Sequence, residues 1–191
     1  NTKPHFPFIN IKLIIFFWCI ALGINYAQNM DSLRLKLEDI SESSLSLRKN
    51  VMPTIRKFGY NSPQMDSLNS LIQNFDSLAL IKVENIVSRY GWLGKSEIGE
   101  VANSTLFIVI QHAQDNSIRE KFYPLLEESV KEGESRKSDL ATMKDRILIQ
   151  NGRPQIYGTQ TNNQGQLLPV ENKNELNKRR RQVGLKKIKS N

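Results

Sequence analysis

The sequence contains little cysteine and little histidine, and both shortages narrow the chemistry that we can expect. Among 191 residues there are one cysteine and two histidines, and Cys19 and His5 both precede residue 28. Beyond that point His112 is the only histidine. The later chain therefore offers no thiol for a disulfide, a nucleophile or a metal thiolate, and it cannot form a histidine-rich metal site alone. Calcium loops of the DxDxDG type and redox cofactor motifs are also missing, so we expect no metal and no cofactor.

Long hydrophobic runs are equally scarce. The longest one, LIIFFWCIALGI at 13–24, has twelve residues, whereas a helix that spans a bilayer needs about 20. Lys3 and Lys12 precede this run, and Ala27 follows it as the small residue that signal peptidase requires. We expect residues 1–27 to be the signal peptide of a secreted or periplasmic bacterial protein, with no membrane span after cleavage. An uncleaved anchor is the alternative.

The central part of the chain has no excess of positive charge, although the net charge is +8. Residues 171–191 contain eight basic and two acidic residues, and Lys3 and Lys12 supply the remaining excess. A neutral central part argues against an extended nucleic-acid-binding face, so we expect no nucleic-acid partner. The basic cluster at 178–181 is interpreted either as a solvated terminal helix or as a contact for phosphates, anionic lipid or wall polymers.

Apolar residues recur at helical spacing through most of the chain. The strongest helix is predicted over 63–90, after the cap formed by Ser62 and Pro63. Other helices are predicted over 31–50, from Ser96 to 113, over 117–132 and from Ser138 to about 150. The helix through 106–110 is apolar on all sides and should be central. Residues 52–63, with two prolines, are predicted to form a linker.

The C-terminal part has a different pattern. QIYGTQ (155–160) and QLLPV (166–170) are typical of short strands, and the residues between them have turn composition. The expected fold class is mainly α, a helical domain with one short β-hairpin near the C-terminus. N-terminal helices over 28–89 form one globular domain with 90–185, and 186–191 is a basic tail.

Several segments together resemble a known family. They are YGWLGKSEIGEVA (90–102), IVIQHAQD (108–115), Asp145-Arg146, GRPQIYGTQ (152–160), LLPV (167–170) and KRRRQVGL (178–185), in that order. The pattern resembles the bacterial family known as domain of unknown function 6624 and covers about 90–185. Leu93 stands where that family often has proline, and Gln114 where it often has aspartate. The resemblance implies a domain and no activity.

The same segments supply the candidate site. His112 could act as a general base, with Asp115 three residues later fixing its tautomer. The candidate ligand-binding residues are Gln111, Arg146, Arg153, Gln155, Tyr157, Gln160 and Trp92. Each also has a structural interpretation: a histidine beside an apolar run is often packed in the core, a buried glutamine satisfies backbone groups, and an arginine favours a helix C-terminus.

The sequence leaves two classes of function open. The favoured one is an exported, non-catalytic helical domain whose polar cluster binds a ligand or locks the fold. Its partner would be an unknown polar ligand or a component of the cell envelope. The alternative is a hydrolase or group-transfer enzyme that uses His112 as general acid and base.

Overall fold

The chain folds into a set of packed helices. A computed structural model describes the backbone of residues 11–162 and 164–188, and the side chains of this part from Tyr26 onward. The helices are α1 (Ile11–Arg48), α2 (Val51–Phe58), α3 (Pro63–Tyr90), α4 (Lys95–Gln111), α5 (Asn116–Lys131), α6 (Lys137–Gln150) and α7 (Leu176–Gln182), with a 3₁₀ turn at Lys173–Glu175. The mainly helical fold class is therefore confirmed.

Helix α4 lies at the centre of the molecule. It packs against α1, α3, α5 and α6, and its side chains Ile98, Leu106 and Ile110 are fully buried. The apolar residues of the surrounding helices, such as Leu37 and Leu126, meet it in one hydrophobic core. The run 106–110 within α4 is apolar on all sides and mostly buried, although Ile108 is 38 % exposed. The central position of this part of α4 therefore follows from its sequence.

Some helix ends differ from the expectation. Residues 51–58, predicted as part of a linker, form α2. Ser62 does cap α3, where its Oγ accepts the Met65 N–H at 3.2 Å. Ser96, in contrast, does not cap α4: Gly94 holds that position, and its N–H donates to Glu97 Oε2 at 2.9 Å. Likewise Arg136, and not Ser138, precedes α6 as its N-cap.

The predicted C-terminal hairpin is wrong. Among the described residues of this region there are two isolated bridges, a parallel one between Gln155 and Val170 and an antiparallel one between Thr161 and Leu167. A hairpin would need alternate N–H groups in 156–159 to pair with a second strand. Three of the N–H groups in 156–159 donate instead to one side chain, the carboxylate of Asp145 on α6.

The predicted signal peptide lies only partly within the described residues. Residues 1–10 are outside the described part of the chain, and the backbone from Ile11 is helical and continuous with the rest of α1. Within the part of the chain that the structure describes, no helix combines the length and the apolar character needed to cross a membrane.

Candidate functional site

The carboxylate of Asp145 organises the motif segment 152–160. This side chain is fully buried on α6. Its Oδ1 accepts the N–H of Ile156 at 2.7 Å, and its Oδ2 accepts the N–H and the hydroxyl of Thr159 at 3.0 and 2.9 Å. The Tyr157 N–H reaches both oxygens, at 3.0 and 3.1 Å. A buried charge is tolerated when its lone pairs are satisfied in this way, so the carboxylate fixes the course of the segment.

Gln155 closes the same segment from the other side. Its side chain is fully buried. The amide Oε1 accepts the Gln160 N–H at 2.8 Å, while Nε2 donates to the carbonyls of Gln160 and Leu168 at 2.8 and 3.0 Å. Each of these hydrogen bonds joins the side-chain amide of Gln155 to a backbone group. This is the structural role that the sequence analysis gave as one interpretation of a buried glutamine. Gln160 itself donates from Nε2 to Thr159 Oγ1 at 3.0 Å.

Two arginines of α7 hold the carbonyl groups of this segment. Arg179 Nε donates to the Ile156 carbonyl at 2.8 Å. Arg180 Nη1 donates to the carbonyls of Tyr157 and Gly158 at 2.7 and 3.0 Å. The basic cluster is therefore not simply a solvated terminal helix, since these two guanidinium groups bind the backbone. We call Asp145, Gln155, Arg179, Arg180 and the backbone of 155–160 the Asp145 network.

Gly158 is required by this geometry. Its φ is +65°, and a Cβ at this position would lie 3.3 Å from Leu176 Cδ1 on α7. A side chain would therefore be strained in its backbone conformation and would crowd the terminal helix. The glycine allows α7 to approach the segment closely enough for Arg180 to reach its carbonyl groups.

A second pair of arginines caps the C-terminal end of α4. Arg146 Nη1 donates to the Gln111 carbonyl at 2.9 Å. Arg119, which is 1 % exposed, donates to the carbonyls of Gln111 and Ala113 and, through Nε, to Asn116 Oδ1 at 3.0 Å. The free carbonyl groups at a helix C-terminus carry partial negative charge, which favours guanidinium groups there. Arg146, a candidate ligand-binding residue, thus contributes to a helix cap.

His112 lies immediately after this cap, in a groove open to solvent. The groove has a volume of about 400 Å³. One wall comes from α3, through residues that include Gln73, Asp76 and Leu80, and the other from residues 112–115 and Ile118 of α5. His112 is exposed, so its ring is accessible from the groove even though protein atoms surround it on several sides.

Partial burial and nearby charges together set the pKa of the His112 imidazole. Burial of the ring lowers the pKa of His112 below its ordinary value of 6.5, and the positive charges of Arg48 and Arg146 lower it further. Asp76 and the Ile108 carbonyl oppose this shift. Arg48 Nη2 binds both carboxylate oxygens of Asp76, at 2.8 and 2.7 Å. The ring is therefore neutral at pH 7, with one nitrogen available as an acceptor.

Asp115 has contacts of its own. Its Oδ1 accepts the Ser117 N–H at 2.9 Å and its Oδ2 accepts the Ser117 hydroxyl at 2.5 Å, so that it caps α5. These hydrogen bonds lower the pKa of Asp115 and keep its carboxylate charged. The residue lines the same groove as His112, but both oxygens are already used by the first turn of α5.

The other predicted site residues are spread over the molecule. Arg153 is exposed. Gln111 and Trp92 each contain a buried polar atom, Oε1 and Nε1, for which the described residues provide no hydrogen-bond partner. Tyr157 lines a groove that shares no residue with the groove of His112. The described part of the chain brings together no three acidic, histidine or cysteine side chains that could hold a metal ion.

Three important roles were not predicted from the sequence: Asp145 as the centre of the network, Arg119 as a helix cap, and Asp76 beside His112. A signal was present for two of them. Asp145 lies four residues after the buried Ala141 and three before the buried Leu148, on the same face of α6. Arg119 has the same helical spacing relative to the buried apolar residues of α5. A charged residue on a buried face indicates a specific polar partner.

Asp145→Asn should destabilise the protein strongly. The new amide presents N–H donors to backbone N–H groups, which leaves buried groups unpaired and costs about 3 kcal/mol. For a domain of this size we expect the melting temperature to fall by about 10 °C in thermal denaturation. The matched control is Asp139→Asn on the same helix. Burial raises the pKa of Asp139, so a neutral amide is tolerated there. Equal losses in the two variants would contradict the central role of Asp145.

The charges near His112 should be measurable by NMR titration of its ring. We expect a midpoint below 6.5, an upward shift in Arg48→Gln and a further downward shift in Asp76→Asn. Because the folded-state pKa is lower than the unfolded one, the associated stability is present above pH 6.5 and is lost as the pH falls through the folded-state value. A wild-type midpoint above 6.5 would be inconsistent with the partial desolvation of the ring and with the positive charges of Arg48 and Arg146 near it.

One of the comparisons with known proteins identifies the family, and none adds an activity. No curated protein is similar enough to match the chain, and no solved structure matches it either. A family model, described as a family of unknown function (DUF6624), matches residues 32–190. This match begins well before residue 90, so it includes the N-terminal helices that showed no diagnostic motif. The chain therefore belongs to the DUF6624 family.

Proposed function

We propose that this protein is an exported bacterial domain that binds a polar ligand, without catalysis, in the groove beside His112. The observation that carries the proposal is the exposure of the only histidine after residue 28 in a groove of about 400 Å³. A groove of this size accommodates a small ligand or one residue of a polymer. The Asp145 network stabilises the fold, since its side chains form hydrogen bonds with backbone groups.

The chemistry of the groove favours a ligand with hydrogen-bond donors. Gln73 and Gln114 contribute amides, and the neutral His112 offers an acceptor nitrogen. The carboxylates of Asp76 and Asp115 also line the groove, where they already bind Arg48 and Ser117 and add negative charge. Leu80, Ile81 and Ile118 supply an apolar floor. Hydroxyl, amide or amine groups on an otherwise compact molecule suit such walls. Fragments of a cell-envelope polymer have this chemistry.

One observation favours the enzymatic alternative. A ring that is open to a groove and neutral near pH 7 has the properties of a general base. In a hydrolase or group-transfer reaction His112 would take a proton from the attacking hydroxyl or water. Asp115 is less suited to orient the ring, because its two oxygens already bind Ser117.

The ligand proposal is tested by NMR of the protein with three probes: N-acetylglucosamine, alanyl-alanine and putrescine. We expect at least one probe to move the His112 ring signals and the Gln114 side-chain amide signals saturably. Gln73→Ala should abolish both shifts, and His112→Ala should abolish the shift of the Gln114 amide. Gln64→Ala, on the same helix but outside the groove, is the matched control. If no NMR signal of a groove residue moves with about 10 mM of any probe, the proposal of a ligand with this chemistry is refuted. A specific site would have a dissociation constant below about that concentration.

The same samples distinguish binding from catalysis. Chemical conversion of a probe by the wild type but not by His112→Ala would favour the enzyme. Saturable binding with no conversion would favour the non-catalytic domain. His112→Ala should melt within about 2 °C of the wild type, since an exposed side chain contributes little to stability.

Export is tested separately, on protein isolated from a bacterial host that expresses the full chain. We expect the protein in the periplasm or the medium, with Gln28 as its first residue, because Ala27 ends the predicted signal. Replacing Ala27 with Phe should block cleavage, whereas Ala21→Val in the apolar run is a control that should not. Protein that stays in the cytoplasm with residues 1–27 attached would refute export.

A further inference from the structure

We propose that a second groove, formed by α5, α6 and the motif segment, binds a small organic anion that carries a planar ring. Its volume is about 450 Å³. The residues most important for binding are Tyr123, Tyr157, Lys137, Lys144, Leu140 and Val183. None of its lining residues belongs to the groove of His112, so this site is independent of the proposed function.

Positive charge in this groove is only partly balanced by the protein. Lys131 forms ion pairs with Glu128 at 3.2 Å and with Glu127 at 3.9 Å. Lys137 and Lys144, in contrast, form no ion pair with the described residues. Lys137 is the first residue of α6, where the helix dipole adds positive potential. Two ammonium groups beside an apolar cavity favour an anion over a cation or a neutral ligand.

The tyrosines add both a flat surface and hydrogen-bond donors. The Lys144 ammonium lies 5.1 Å from the centroid of the Tyr123 ring, within range of a cation–π interaction. Burial raises the pKa of Tyr123 to about 12, with smaller contributions from Glu127 and Tyr157. Its hydroxyl therefore remains protonated and can donate to a carboxylate or phosphate oxygen.

The apolar residues of the groove are the reason to expect a ring in the ligand. Val130, Leu140, Ala141 and Val183 line the groove between the charged groups. An inorganic ion would leave this surface wet, whereas a planar ring would cover it and could stack on a tyrosine. The combination of two ammonium groups, two phenols and an aliphatic floor therefore indicates a ring joined to a carboxylate or phosphate.

The Asp145 network builds one wall of this groove. Asp145 holds the Tyr157 N–H, and Arg180 holds the Tyr157 carbonyl. Arg180 belongs to α7, which is followed by the wall residue Val183. The buried hydrogen bonds thus fix the backbone that carries the Tyr157 ring before any ligand arrives, which reduces the entropy lost on binding. This gives the motif segment a role at a site, although its backbone groups are already bound by Asp145, Arg179 and Arg180.

The test is a calorimetric titration of the protein with adenosine monophosphate and with indole-3-acetate, which carry phosphate and carboxylate respectively. We expect at least one to bind with a dissociation constant below about 1 mM. Adenosine and inorganic phosphate supply the ring and the anion alone and should bind at least about tenfold more weakly. The preferred ring anion distinguishes a phosphate ligand from a carboxylate ligand.

Substitutions assign the binding to this groove. Lys144→Gln and Tyr157→Phe should each weaken it by about tenfold. The matched control is Lys121→Gln, because Lys121 also lies over an aromatic ring, that of Phe122 at 4.7 Å, but outside the groove. His112→Ala should have no effect. No binding of either ring anion at about 1 mM, equal binding of phosphate alone, or an equal loss in Lys121→Gln would each overturn the proposal.

Discussion

The buried carboxylate of Asp145 is the interaction on which the C-terminal third of the molecule depends. An irregular segment lacks the ladder of a sheet and must find other partners for its backbone groups. Here one carboxylate accepts three backbone N–H groups and a hydroxyl. Because the segment is fixed, the carbonyls of Ile156 and Tyr157 face α7, where Arg179 and Arg180 bind them. The position of the terminal helix therefore follows from a charge on α6.

Arginine side chains bind backbone carbonyl groups in two places, at the C-terminal end of α4 and in the motif segment. Arg119 and Arg146 both bind the last carbonyl group of α4, that of Gln111. Arg179 and Arg180 bind carbonyl groups of the motif segment. A guanidinium group can satisfy several carbonyl groups at once, because its N–H donors diverge in a plane. The two sets have different consequences. The cap on α4 binds the carbonyls of Gln111 and Ala113 and leaves His112 accessible. The second set binds the backbone of the motif segment, where Tyr157 lines a surface groove.

The sequence patterns predicted the helices better than the site. Apolar spacing identified the core helices because burial of one face is a local property, visible in the order of residues. The hairpin was predicted from the same kind of pattern and is wrong, since the alternation in 155–160 does not reveal that Asp145 competes for its N–H groups. Gln155 and Arg146 were predicted as ligand-binding residues of a site with His112 as the catalytic residue. Residue type alone does not distinguish a donor that faces a ligand from one that faces a carbonyl group.

The sequence by itself determined the helical class, the central position of α4, the lack of a thiol after residue 27 and the family of the chain. These properties depend on composition, on periodicity and on short motifs. Only the tertiary structure decided that Asp145 binds the backbone of the motif segment, that Arg180 of the terminal helix binds it too, and that His112 and Tyr157 line two separate grooves. Residues 145, 157 and 180 meet because the motif segment lies between α6 and α7, and its hydrogen bonds to both helices join parts of the chain that no local pattern connects.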